Sequence, residues 1–370
     1  MTKTKQSTKL KQSLASTLAC ICLCGGLPVS AYAATTDTKT TTATTESQSS
    51  DQTKPQTITD GRLQLHGIFS NRYDHTQQDG VQEASSVLLI NADWKFNDTY
   101  TLATTSEIFH CLRDDLPFSN SADGKLHDWN SPFFEAYVKG EFDTTTVKLG
   151  QFTYIPAYGI THGLYQEVSG GLVSFGKNVK TTIVAGTTKP YWPGTSANST
   201  LSYANGVMQT SPYEAIDIVI PTSKATNIRA LYERGAVATP IESLPYSSPE
   251  INFTECGFDT SVAKNLKLEA AAIHSTASSA NNGTYASLKY KEFNLQQKKS
   301  FDTFVTYHNL ESNSIMGNDI PLKADQKGIR YGVHYVPTKN TLATVWFDDV
   351  KVISSDKHNN KFRAQFDIFF

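Results

Sequence analysis

From residue 61 onward the chain repeats one texture, in which stretches of about ten residues alternate apolar and polar side chains between polar links. Successive side chains on an extended strand point to opposite faces, so each stretch carries two chemistries back to back. Over residues 62–74, Leu63, Leu65, Gly67, Phe69 and Tyr73 share one face, while Arg62, Gln64, His66, Ser70 and Arg72 share the other. Over residues 85–96, Leu88, Ile90, Ala92, Trp94 and Phe96 oppose Asn91, Asp93 and Lys95 before a turn at Asn97 and Asp98. A later stretch sets Phe134, Ala136, Val138 and Phe142 against Glu135, Tyr137, Lys139 and Glu141. The same reading predicts strands near 100–111, 145–152, 167–175, 179–188, 213–220, 227–236, 250–260, 266–275, 284–293, 300–310, 328–336, 341–353 and 361–370. The total is about sixteen strands, with a margin of about two either way (14–18).

The links between these strands alternate in length. Tight ones at 96–99, 143–144, 176–178 and 337–340 follow even-numbered strands, whereas long polar ones such as 189–211 and 311–326 follow odd-numbered strands. That rhythm belongs to an all-β, transmembrane antiparallel β-barrel with short periplasmic turns and long external loops. A soluble sandwich has no reason to segregate loop length in this way.

Composition narrows the choice. Charged residues make up 18% and aromatics 11% of the chain, which disfavours helical bundles. Mean hydropathy is −0.35. After residue 33 no apolar run is long enough to span as a helix, which takes about 20 residues; strands that alternate escape any such average.

Residues 1–33 read as a secretory signal: Lys3, Lys5, Lys9 and Lys11 precede an uncharged stretch that ends in Ala31-Tyr32-Ala33. Residues 34–60 hold 11 Thr and almost nothing apolar, the composition of a disordered tether, and the barrel is expected over 61–370. Processing would remove four of 33 basic residues and no acid, leaving 29 against 35 and a charge of −6. Nucleic acid is excluded as a partner on that balance. Cys111 and Cys256 alone survive, on separated strands, and are expected to be free thiols.

The last strand, KFRAQFDIFF, places Phe362, Ala364, Phe366, Ile368 and Phe370 in one apolar row ending on a terminal aromatic. Pairing it with the first strand would remove both sheet edges. With strands about 4.8 Å apart and tilted about 40°, sixteen of them enclose a cylinder roughly 30 Å across, too wide for side chains alone to fill.

The stretches VKLGQFTYIPAYG and EVSGGLVSFGKNVKTTIVAG, together with the C-terminal strand, resemble the porins, in particular the diderm porins that often carry an S-layer-homology domain; here a Thr-rich segment stands in that domain's place. The resemblance implies a bacterial outer-membrane protein, embedded in outer-membrane lipids and forming a channel for passive diffusion of small hydrophilic solutes. It further implies a homotrimer, and recognition of Phe366, Ile368 and Phe370 by the barrel-assembly machinery. It also nominates the loop after the fifth strand as the constriction, with Tyr154, Pro156, Tyr158, His162 and Tyr165 among its residues; the other reading is a loop over the rim. Gln151 stands where relatives would carry a basic residue.

Polar parity turns Arg62, Arg72, Lys139, Lys148, Arg229, Lys289, Arg330 and Arg363 inward, together with Glu135 and Glu141, as pore-lining groups. Lys95, Lys267, Lys291, Asp93, Asp217, Glu233, Glu269, Asp302 and Asp367 share that parity. Such a mixed wall predicts weak anion preference at most. His308 and His334 could meet on adjacent strands, but two histidines without a third ligand make no metal site. The Asp-Asp pairs beginning at Asp114 and Asp348 read as solvated or divalent-binding charges. No nucleophile constellation emerges, so neither a cofactor nor catalysis is expected. A structural or adhesive barrel with a blocked lumen is the alternative.

Overall fold

The computed structural model describes residues 56–58, 62–76, 82–112, 129–162, 167–188, 211–236, 250–316 and 322–370. The expected signal segment, most of the expected tether and the long links around 113–128 and 189–210 lie outside these residues.

The first half of the chain forms β1 (Gln56–Ile58), β2 (Leu63–Thr76), β3 (Gln82–Lys95), β4 (Tyr100–Cys111), β5 (Trp129–Phe142), β6 (Thr145–Thr153), β7 (Glu167–Phe175), β8 (Lys180–Thr188) and β9 (Ser211–Pro221). The second half forms β10 (Thr226–Ala236), β11 (Glu250–Ala263), β12 (Leu266–Ser275), β13 (Asn282–Tyr290), β14 (Phe301–Leu310), β15 (Gln326–Tyr335), β16 (Thr341–Val352) and β17 (Lys361–Phe369). β2–β17 correspond to the sixteen segments that the alternation predicts. The short β1 is an addition inside the segment read as a tether, and it pairs with the start of β2.

Each strand from β2 onward pairs antiparallel with its neighbours in sequence, and β17 pairs with β2, so the sheet closes. Closure runs to the last residue: the amide nitrogens of Gly67 and Phe370 each donate to the other's carbonyl, at 3.0 and 3.1 Å. Position 67 has to be glycine, since a Cβ there would sit 2.5 Å from the Phe370 ring. A closed antiparallel sheet satisfies its backbone donors and acceptors internally, which hydrocarbon requires. No helix among the described residues is long and apolar enough to cross a membrane.

The distribution of side chains is inverted relative to a soluble domain. Leu149, Val305 and Tyr331 are 60%, 50% and 49% exposed on the outer face, whereas Glu233 and Asp302 are fully buried on the inner one. One predicted segment is shorter than expected. The strand read through Phe293 stops at Tyr290, because Lys291 adopts a left-handed φ of 65° and the chain folds into a turn. That turn tucks Leu295 against Val336, Leu342 and Phe369 on the inner face. Alternation alone cannot distinguish a strand's last residues from a turn that keeps its apolar side chains inside.

Candidate functional site

The lumen is built from two unequal halves. On leaving β6, residues 154–162 run inside the barrel. The Ala157 amide donates to Asp217 Oδ2 on β9 at 3.2 Å, and Arg229 Nη1 on β10 donates to the Ala157 carbonyl at 2.9 Å. Ala157 and Gly159 take left-handed φ angles of 42° and 67°, and the Gly159 amide donates to the Pro156 carbonyl at 2.7 Å, so Pro156 opens a tight turn. Tyr158 lies flat on the wall, its ring stacked on Tyr285 at 6.3 Å with the Arg229 guanidinium 5.2 Å away. Gly257 makes room for it, since a Cβ there would come within 2.6 Å of the Tyr158 ring. Burial pushes both the Tyr154 and Tyr158 hydroxyls above the ordinary phenol range, so they stay protonated and neutral.

The wall under this loop departs from polar-in parity. Phe152, Val168, Leu172, Val184, Tyr213, Ala215, Leu231, Ile251 and Phe253 form one buried cluster with Tyr154 and Ala157. These side chains face inward because the loop covers them, and covering them is favourable at roughly 25 cal/mol per Å². Interleaved with the apolar cluster are carboxylates. Tyr213 donates to Glu233 at 2.6 Å, and Asp259 accepts from Asn227 at 2.9 Å and Arg229 at 3.3 Å. His162 is fully buried with its ring 4.8 Å from that of Tyr213.

A second segment, residues 311–316, also turns inward. Its Met316 amide donates to the Thr161 carbonyl at 2.9 Å.

The other half carries the charge. Arg330 grips Asp348 through two hydrogen bonds of 2.5 and 2.7 Å, and Arg363 grips Asp74 through two of 2.6 and 2.7 Å. Lys361 and Arg72 add ion pairs to Asp74 at 3.3 and 3.5 Å. Trp346 stands between the two guanidinium groups, 3.9 Å from that of Arg330 and 5.0 Å from that of Arg363. Four bases against two acids leave this cluster two positive charges in surplus, which the inward Asp367 on β17 reduces to one across β2 and β15–β17. Charge-assisted, bidentate pairs fix these planes rigidly. Removing Arg330 as Arg330→Ala would leave Asp348 buried without its partner, so the barrel is expected to lose about 3 kcal/mol. Thermal unfolding followed by heat-dependent gel migration checks this; an unchanged midpoint would show that the lumen solvates Asp348 freely.

The remaining predicted lining residues lie apart from that cluster. Lys289 pairs with Asp302 at 3.0 Å, which His334 also meets at 2.7 Å. Lys139 pairs with Glu141 at 2.8 Å, Lys148 sits 5.0 Å over the Tyr137 ring, and Glu135 accepts from Thr105 at 2.8 Å and from the Thr153 amide at 2.6 Å. Arg62 is exposed just before β2. Arg229 points inward but is 4% exposed beneath the loop, so it holds the loop instead of meeting solvent. Phe366, Ile368 and Phe370 lie on the outer face, and Tyr165 falls outside the described residues.

Two expectations are corrected. Asp348 and Asp349 are not a solvated pair: on a strand they point opposite ways, Asp348 inward onto Arg330 and Asp349 outward. His308 and His334 do not meet, because the register sets His308 opposite Gly328 and His334 opposite Asp302. Among the described residues no group of three His, Cys, Asp or Glu is placed to hold a metal ion. Cys111 and Cys256 are not bridged to each other. Sequence reasoning missed Asp74, Lys361 and Trp346, although their parity places all three inward. The apolar wall under the loop carried no such signal.

A closed antiparallel barrel, apolar outside, charged inside and narrowed by an internal loop, defines the porin fold. Solved structures bear that out. The chain aligns with Salmonella typhi OmpF in complex with daunomycin at 13% identity and a TM-score of 0.53, covering 85% of this chain and 99% of that one. Acinetobacter baumannii OccAB3 aligns at 11% identity and 0.51, covering 85% and 100%, and a mutant of Rh. blastica porin at 11% and 0.50, covering 83% and 100%. No family model and no curated protein matches the chain.

Proposed function

We propose that the chain is an outer-membrane porin, a water-filled channel through which small hydrophilic solutes and ions diffuse passively, with weak anion preference. The observation that carries this reading is the division of the lumen. Residues 154–162 and their apolar wall fill the side bounded by β6–β13, while the surplus of positive charge lines β2 and β15–β17. Solutes then pass along the charged side, where fixed dipoles and hydration make entry favourable and the small net charge keeps binding weak enough for exit. Tyr154, Pro156, Tyr158 and His162 form the constriction, and no catalytic step is needed.

The resemblance to porins extends the proposal to a homotrimer in a bacterial outer membrane, delivered there by the assembly machinery through its terminal Phe370. Purified protein reconstituted into a planar bilayer should give stepwise conductance, with a reversal potential of the sign for modest anion preference in a salt gradient. A folded barrel that never conducts would instead support the structural or adhesive role, and strong cation selectivity would refute the wall assignment.

A further inference from the structure

We infer that residues 311–316 form a strap that holds the inward loop in place, with Met316 as its positioning residue. Irregular backbone inside a barrel has no ladder to satisfy it, so each of its polar groups needs a dedicated partner. The loop obtains two of these from the wall, at Ala157. A further backbone tie, at Thr161, comes from the Met316 amide, on a segment more than 150 residues further along the chain.

The strap is itself anchored. The Asn313 amide donates to the Ala280 carbonyl at 2.8 Å, its side chain donates to the Ser279 carbonyl at 2.9 Å, and its carbonyl accepts from the Ser275 hydroxyl at 2.6 Å. Glu311 accepts from the Asn282 amide at 2.8 Å, while Ser314 folds back onto the Glu311 carbonyl at 2.7 Å. The segment therefore crosses the β12–β13 link as a braced span, with its two apolar residues delivered inside. Ile315, 1% exposed, joins Ile160, Ala271, Ile273 and Leu310 in one cluster. Met316, 2% exposed, joins the cluster that holds Tyr154 and Tyr213. Its seat on β10 is Gly235, where a Cβ would come within 2.7 Å of the Met316 sulfur.

Thus the C-terminal half of the loop is clamped by a part of the chain that follows β14 in sequence. The strap's effect on conduction rests on the constriction reading, but its hold on the loop does not.

Hydrogen exchange of the loop amides, read by mass spectrometry on the full barrel in detergent, separates the two. In Ile315→Ser/Met316→Ser, amides 157–162 are expected to exchange at least about tenfold faster while those of β9–β11 are unchanged, because only local opening is promoted. Met316→Leu, which keeps the apolar contact, should retain near-parental protection, and the unchanged β9–β11 amides exclude a global loss of stability. Gly235→Val, which displaces the Met316 side chain while leaving the sequence of the strap unchanged, should accelerate exchange in the same direction and covers the case in which the double variant fails to close. Barrel integrity is checked by heat-dependent gel migration. Unchanged exchange in a variant that forms an intact barrel overturns the strap. Accelerated exchange in protein that never conducts sinks the channel reading and leaves the strap standing.

Discussion

Excising residues 157–161 and bridging the gap with glycines is expected to raise unitary conductance about two- to threefold, since the loop occupies space inside a tube roughly 30 Å across. The increase should come with a loss of stability, because Phe152, Val168, Leu172, Val184 and Phe253 lose their cover and face water. Their exposure separates this variant from one that alters a charge. Bilayer recordings at fixed salt give the first quantity and heat-dependent gel migration the second. Conductance equal to that of the parent would mean that the permeation path avoids the loop, and the constriction assignment would fall.

The second large effect concerns charge. In Arg72→Glu/Lys361→Glu the cluster around Asp74 and Asp348 changes from two positive charges in surplus to two negative. Both positions are partly exposed to the lumen, at 24% and 19% of the side chain, so the substituted carboxylates keep solvent and the barrel should still close. The anion-to-cation permeability ratio is expected to fall at least about threefold and to pass below one at low salt, with the change shrinking at 1 M, where screening reaches only about 3 Å. Arg330 and Arg363 are unsuitable for this experiment, since each is locked to a buried carboxylate whose isolation would confound selectivity with stability. A reversal potential that does not move would place the ion path away from β2 and β17.

The wall was legible in the sequence to within a few residues, and for a physical reason. A strand between lipid and water must alternate at period two, so Phe69, Ile90, Val305 and Phe366 face out and Arg72, Asp302 and Arg363 face in whatever the rest of the chain does. The charged cluster was partly legible by the same rule. Arg330 and Arg363 followed from parity, but their pairing with Asp348 and Asp74 depends on register, since a slip of two residues preserves every facing and changes every partner.

Interior packing was not legible. Val168, Leu172 and Val184 are apolar and inward, against the rule, because a loop that is their neighbour only in space covers them. Likewise Gly235 and Gly257 look like ordinary strand glycines until Met316 and Tyr158 are seen to occupy the space a side chain would need.

What the sequence by itself determined is the barrel: its strand number, its inside and outside, and its closure through Phe370, each dictated by local alternation and by the requirement to pair every backbone group in hydrocarbon. The tertiary structure alone decided how the tube is filled. The inward course of residues 154–162, the strap at Met316 and the placement of charge opposite them arise from contacts between segments far apart in the chain, which carry no period to read.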